Sequence, residues 1–458
     1  MGCCFYIDVV MNKKVFCCQD CGHETPKWLG RCPNCKQWNT IVEEIKSKQS
    51  NTKGFAINSQ AKPTLIQNIE NNSSIRLPTL DPELDMVLGG GLVEGSIILL
   101  GGEPGIGKST LLLQLVLNGT DDVLYVSGEE AATQIKMRAD RIGIKNKACH
   151  IYTETSTSKI IAHCEKNNYK LIIIDSIQTL YSNFIESTIG SVSQIKQCCA
   201  ELVQFAKITK TIIFIIGHIT KEGQIAGPKV LEHMVDVVLN FEGDQQYQYR
   251  ILRAQKNRFG TTSKVGIYEM TETGLLPLKN PSTILIENKM ANLSGTAISS
   301  TFEGQKTFLV EVQALVTNAV YGTPQRSSNG FNLKRLNMLL AVLEKKCGFK
   351  LSTQDIFLNI AGGINVTDPS MDLSVVAAIL SSHKDIVINS KICFTGEVGL
   401  NGEIRPIPRI ETHIAEAERI GFKNIMISSH NKIHQKYKNI NIITCTKIGE
   451  VYKFLSNL

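Results

Sequence analysis

Residues 96–118 read SIILLGGEPGIGKSTLLLQLVLN. A short apolar run enters a glycine-rich turn, and the turn opens at once into a helical pattern. Gly102-Glu103-Pro104-Gly105-Ile106-Gly107-Lys108-Ser109 satisfies G-x-x-x-x-G-K-[ST] between a strand and a helix, the context the motif needs. Glycines let successive backbone N–H groups curl round phosphate oxygens, and a helix N-terminus adds a favourable field. Gly102 through Thr110 are therefore expected to cradle ATP. Lys108 is expected to reach the β and γ oxygens, and the Ser109 hydroxyl to coordinate Mg2+.

Beyond this turn, four further apolar runs alternate with helical stretches: VLYVSG (123–128), KLIIIDS (170–176), TIIFIIGH (211–218) and VVLNFEGD (237–244). Short Ile/Val/Leu runs separated by helices predict an α/β fold with a mostly parallel sheet covered on both faces. Asp175 ends one of these runs, where a second magnesium-shell ligand belongs. Glu129 and Glu130 follow another. Either they polarise an attacking water, with Glu129 favoured as the base, or they sit at a helix start that favours carboxylates. His218, at the end of a third run, is a candidate sensor of the terminal phosphate or an ordinary polar strand end.

Four segments emerge: a Cys-rich module at 11–45, a polar linker at 46–74, an ATPase domain at 75–280 and a further α/β domain at 284–458. In the first, Cys18-x-x-Cys21 and Cys32-x-x-Cys35 are the spacing of two tight turns that close four thiolates on one Zn2+. With four cysteines the site is complete, which makes it structural. His23 is an alternative ligand. So short a module cannot bury enough core to fold without help, and metal binding supplies about 10–16 kcal/mol. Trp28 and Trp38 are expected to pack this small core, with stacking on bases as the alternative.

The chain has 458 residues, enough for several domains. Ten of its 14 cysteines are scattered, which suits a reducing cytoplasm rather than a disulfide framework. No apolar run is long enough for a membrane span. Residues 1–10 lack a basic n-region and a cleavage site, and Tyr6 stands where myristoylation wants Ser or Thr. They read as an extension ahead of Met11. The net charge of +7 permits a nucleic-acid partner without demanding one.

One stretch stays unexplained by this layout. RAQKNRFGTTS (253–263) sets Lys256 and Arg258 two apart, on the same side of an extended strand. Neighbouring unpaired cations repel, so they are expected to await an anion. The candidates are the γ-phosphate in a neighbouring subunit's site, a nucleic-acid backbone, or solvent alone.

CQDCG with PKWLGRCPNCKQWNT, GGEPGIGKST, YVSGEE, IAGPKVLEHMVDVVLNFEGD and above all QKNRFG resemble the RadA (Sms) family of bacterial DNA-repair and recombination ATPases, from about Met11 onward. The resemblance implies a RecA-like P-loop core in a homo-oligomer, a hexameric ring. It implies DNA-dependent ATP hydrolysis, translocation on single-stranded DNA, and branch migration of branched DNA alongside the RecA recombinase. Lys256 and Arg258 then serve hydrolysis and its coupling to DNA. DNA contacts are expected on loops 182–191 and 219–229, with Lys221 and Lys229. The C-terminal domain resembles the Lon protease domain without its Ser–Lys pair. Met371 and Asp372 fall near the nucleophile's place, with Ser370 close by, and Glu411 falls where the lysine belongs. That implies an inactive protease scaffold, with Arg326, Lys334, Arg335, Lys345 and Lys346 as a basic strip for DNA.

Overall fold

The computed structural model describes residues 13–18, 22–46, 76–119, 121–218, 230–243, 249–278, 293–303, 306–319, 322–361 and 366–457, with 65, 67 and 282 as isolated positions. Cys21, Lys221 and Lys229, residues 1–10 and nearly all of the expected linker lie outside the described residues. Two compact units divide the chain. One comprises 1–242, 250–262 and 268–277, and the other 243–249, 263–267 and 278–458.

The first unit begins with a three-stranded ribbon, β1 (Lys13–Cys18), β2 (Glu24–Thr25) and β3 (Ile41–Lys46), with β1 in the middle. After α1 (Pro82–Leu88) come β4 (Ile97–Gly102), α2 (Lys108–Asn118), β5 (Val123–Ser127), α3 (Ala132–Ile142), β6 (Cys149–Tyr152), α4 (Thr157–Lys166) and β7 (Leu171–Asp175). Then follow α5 (Val192–Thr209), β8 (Ile212–His218), α6 (Val230–Met234), β9 (Val237–Glu242), β10 (Tyr249–Asn257), β11 (Val265–Thr271) and β12 (Gly274–Pro277). They build one nine-stranded sheet in the order β12-β11-β10-β9-β4-β8-β7-β5-β6. From β9 to β6 every pairing is parallel; β10 runs antiparallel to β9, and β12 to β11.

Side-chain alternation sorts this sheet's core into two layers. Ile98, Leu100, Tyr125, Ile173 and Phe214 point to the face covered by α2 and α3. Ile97, Leu99, Leu124, Val126, Ile172, Ile174, Ile213 and Ile215 point to the face covered by α4 and α5. A strand buried on both sides must be apolar at every position, which is why these runs show no polar alternation.

In the second unit, β13 (Thr296–Glu303), β14 (Lys306–Asn318), β15 (Arg326–Asn329), β16 (Gln354–Ile360), β17 (Ile392–Phe394), β20 (Asn424–Ser428) and β21 (Asn441–Cys445) form a sheet in the order β15-β16-β14-β13-β17-β20-β21. β18 (Glu397–Val398) and β19 (Ile404–Arg405) form a separate pair. The helices are α7 (Leu333–Cys347), α8 (Asp372–Lys384), α9 (Ile410–Ile420) and α10 (Ile448–Ser456). Ten consecutive residues of α8, Asp372–Ser381, are buried, so this helix is enclosed on all sides and needs no amphipathic stripe. The fold class is α/β: an N-terminal metal-binding ribbon, a RecA-like P-loop core and a Lon protease-like α/β domain.

Candidate functional site

The P-loop motif forms the β4–α2 turn. Gly107 caps α2 at φ 113°, a backbone angle that disfavours any residue with a Cβ, and Lys108 is the first helical residue. Lys108 is buried, and its Nζ donates to Gly102 O at 2.7 Å and Glu103 O at 2.8 Å. Burial lowers its pKa to about 8, against the opposing pull of Asp175, Glu129 and Glu103. An ammonium held inside its own loop, short of hydration, is poised for an anion.

β7 delivers Asp175 to the same end of the sheet, two strands from β4. Burial raises the Asp175 pKa, while hydrogen bonds from the Tyr125 and Ser109 hydroxyls lower it. The Tyr125 Oη–Asp175 Oδ2 distance is 2.6 Å. Ser109 and Asp175 thus meet as a hydroxyl and a carboxylate, an all-oxygen set that fits Mg2+.

Glu129 and Glu130 have different surroundings. Glu130 pairs with Arg138 on α3. Glu129 accepts from the Ser176 hydroxyl, one residue beyond Asp175, and its charge acts on both Lys108 and Asp175. Glu130 also acts on Asp175, but of the two only Glu129 acts on Lys108. His218 ends β8.

Lys256 and Arg258 do not lack partners, contrary to the sequence expectation. Lys256 Nζ donates to Glu232 O (2.7 Å), Val235 O (2.7 Å) and His233 O (3.4 Å), closing the carbonyl end of α6. Arg258 Nη1 lies 3.1 Å from Asp236 Oδ1. Asp236 is buried, and its other oxygen takes Lys207 Nζ at 2.8 Å and the Ile97 N–H at 3.2 Å. Burial first, and then Arg258, lower the Lys256 pKa. A β-bulge in β10 falls between Ala254 and Lys256, and β10 ends at Asn257, so Arg258 stands just beyond the strand.

In the ribbon, the sulfurs of Cys18, Cys32 and Cys35 lie within 4.8 Å of one another. The two turns repeat the same bonds. Cys18 N–H donates to His23 O and Gly22 N–H to Cys18 O; Cys32 N–H donates to Gln37 O and Lys36 N–H to Cys32 O. Gly22 (φ 70°) and Lys36 (φ 62°) take equivalent left-handed positions. Three thiols converging from matched turns suit a tetrahedral thiolate site for Zn2+, with Cys21 outside the described residues. The tryptophans depart from expectation. Cys18, Cys32 and Ile41 form the core, packed by Phe16 and Cys35, whereas Trp28 is 57% and Trp38 67% exposed. The converging cysteines, with Ile41, occupy the space an aromatic core would need.

In the C-terminal unit, Asp372 is fully buried and binds Arg335 through both oxygens: Arg335 Nε lies 2.7 Å from Oδ1, and Arg335 Nη2 pairs with Oδ2. The Val398 N–H donates to Oδ2 at 3.0 Å. Arg335, expected on a DNA-facing strip, is thus engaged with Asp372. Arg326 Nη1 donates to Asn337 Oδ1 at 3.4 Å. Ser370 is buried with its hydroxyl bonded to Asp368, and Glu411 accepts the His434 and Gln435 N–H groups.

Sequence reading passed over Tyr125, Ser176 and Asp236. Each carried a signal: a polar group inside or beside an apolar strand run must find a buried partner.

Family models match three segments: an AAA domain at 67–224, a rubredoxin metal binding domain at 16–43 and subunit ChlI of Mg-chelatase at 320–431. The DNA repair protein RadA of Bacillus subtilis is 45% identical over 450 residues, covering 96% of this chain and 98% of that one. The DNA repair protein RadA of Listeria monocytogenes is 44% identical over 443 residues, covering 96% and 97%. Among solved structures, the RadB recombinase aligns with 44% of this chain and all of its own at 22% identity, with a TM-score of 0.36. With relatives of this identity matched along nearly their whole length, the chain belongs to the RadA family.

Proposed function

We propose that this chain is a DNA-dependent ATPase that translocates on single-stranded DNA and drives branch migration of recombination intermediates, acting with the RecA recombinase as a hexameric ring in the cytoplasm. The observation that carries the reading is the convergence of Lys108, Ser109, Asp175 and Glu129 at the ends of β4, β7 and β5. Its repair role is supported by relatives that are named DNA repair proteins. No helix among the described residues is long and apolar enough to cross a membrane.

Gly102 through Thr110 hold the triphosphate by backbone N–H groups and the N-terminal field of α2. Lys108 leaves the Gly102 and Glu103 carbonyls for the β and γ oxygens, trading two neutral acceptors for an anion. Ser109 and Asp175 would hold Mg2+, which neutralises charge on the transferring phosphoryl group. Glu129 orients the attacking water and takes its proton. Lys256 and Arg258 act on the γ-phosphate bound by a neighbouring protomer. Lys256 exchanges the α6 carbonyls for that phosphate, and Arg258, half exposed, holds Asp236 through Nη1 and keeps its other guanidinium nitrogens for the same anion. A cation supplied in trans contributes about 10³–10⁵ in rate. Cys18, Cys21, Cys32 and Cys35 hold a structural Zn2+.

Residues 11–45, 75–280 and 284–458 are the metal-binding, ATPase and Lon-like domains. The last serves ring assembly and DNA contact rather than proteolysis. That reading is supported by Asp372, bound to Arg335 near the place of a nucleophile, and by Glu411 in the place of a lysine base. Lys221 and Lys229 in the ATPase domain, and Arg326, Lys334, Lys345 and Lys346 in the Lon-like domain, are the candidate DNA contacts besides the Asp372-bound Arg335.

The test is ATP hydrolysis with and without single-stranded DNA. Clear stimulation is expected. Equal rates argue for a nucleotide-binding scaffold, and robust casein cleavage would restore the protease reading.

A further inference from the structure

The metal-binding ribbon carries a surface that the ATPase chemistry does not use. Residues 26–40, PKWLGRCPNCKQWNT, contain Lys27, Arg31 and Lys36 and no carboxylate. The same segment exposes Trp28, Leu29 and Trp38, at 57%, 41% and 67%. Large apolar side chains left out of a core and grouped in one patch mark a binding surface.

The two indoles belong to one place. A Cβ built on Gly30 would lie 3.7 Å from Trp28 Cη2 and 3.8 Å from Trp38 Cζ3, so both rings border the space over this glycine. Both rings are also held. Trp28 Nε1 donates to Ile41 O at 3.0 Å, and Trp38 pairs across a bridge with Arg31. The Arg31 guanidinium sits over the Trp38 ring, 5.6 Å from its centroid, and its Nε donates to Lys36 O at 2.8 Å. Among the described residues Arg31 bonds through Nε alone, which leaves its terminal nitrogens for an anion. Fixed aromatic faces with cations beside them, on a segment that itself carries no carboxylate, match unpaired bases strung on phosphates. A duplex hides those faces in its own stack.

We propose that Trp28 and Trp38, with Arg31, Lys27 and Lys36, form a stacking site for single-stranded nucleic acid on the ribbon. This rests on the DNA-motor reading and adds to it a DNA contact outside the ATPase core. The site is sequence-tolerant, because every base presents a π-face.

The chain's two tryptophans are both in this patch, so its entire tryptophan emission reports the site. The experiment titrates the full-length protein with oligothymidylate of about 16 nucleotides. Emission is followed beside binding of the same oligonucleotide carrying a fluorescent label. Emission should be quenched with the same midpoint as binding, a duplex should quench far less, and added salt should shift both midpoints together. Trp28→Ala with Trp38→Ala should weaken binding tenfold or more while zinc content stays at one per chain. Trp28→Phe with Trp38→Phe should restore most of the affinity, since a phenyl face still stacks. Unchanged emission while DNA binds and stimulates ATP turnover would overturn the stacking site and leave the motor standing. So would wild-type affinity in the zinc-loaded double alanine variant. An emission change caused by a recombinase filament but not by oligonucleotide would overturn it in favour of protein docking. Failure to bind any DNA would remove the motor reading as well.

Discussion

Lys108 shows how a single buried charge links stability to function. Burial holds its pKa near 8, below the ordinary 10.5. A lysine whose folded pKa is lowered destabilises the fold while protonated. That penalty is complete below about pH 8 and fades as pH rises toward 10.5, because the unfolded chain then binds the extra proton. Lys108→Met should therefore abolish ATP turnover yet stabilise the nucleotide-free protein at pH 7 by roughly 1–3 kcal/mol. The gain should shrink by pH 10. Denaturant midpoints at the two pH values check this, and a pH-independent difference would contradict it. Tyr125→Phe tests the neighbouring carboxylate. It removes a bond that lowers the Asp175 pKa, so Asp175 should titrate still higher. Nucleotide binding should then need more Mg2+, increasingly so as pH falls, and stability should drop by about 1–3 kcal/mol. A magnesium titration at pH 6 and pH 8 reads the shift. Lys108 and Ser109 were legible in the sequence because a P-loop is local. The Tyr125–Asp175 bond was not, because strand pairing joins two residues 50 positions apart. The partners of Lys256 and Arg258 were hidden for the same reason, since Asp236 and the α6 carbonyls lie 21 to 24 positions back.

Elements follow the same division. The apolar runs that became β4, β5, β7, β8 and β9 were recognisable, because a strand covered on both faces is apolar throughout. The ladder at the sheet's other side was not. β10, β11 and β12 carry mixed polarity, and neighbouring strands rather than their own composition hold them. The tryptophans misled because apolar residues in a 35-residue module suggested a core, whereas converging sulfurs already occupy its centre. Cys32→Ser should melt the ribbon alone, with loss of zinc. The thermal transition of the ATPase core should stay within a few degrees of wild type. Collapse of both transitions together would mean the ribbon is integral to the core. In the C-terminal unit, Arg335→Met leaves Asp372 buried without its cation and should cost about 3–5 kcal/mol. Adding Asp372→Leu should recover most of that loss, and chemical denaturation of the single and double variants measures it. Additive losses would show that the pair does not act as a unit.

At the scale of the whole molecule, the proposed cycle needs more than one copy of the chain. Lys256 and Arg258 rest on carbonyls and a carboxylate of their own protomer, a state suited to waiting for a neighbour's γ-phosphate. Lys256→Ala should leave ATP affinity within about threefold while cutting turnover by a factor of 10³ or more. Mixing this variant with Lys108→Ala protein is the sharpest test, because neither can hydrolyse ATP by itself. A seam between a Lys108→Ala protomer offering an intact cation pair and a Lys256→Ala protomer offering an intact P-loop contains every part. Turnover measured in single-stranded DNA, with particle mass followed in parallel, should therefore reappear in the mixture and only in assembled particles. Mixtures that stay inactive although the subunits demonstrably co-assemble, or a solitary chain that hydrolyses ATP at full rate, would contradict cleavage at a shared site.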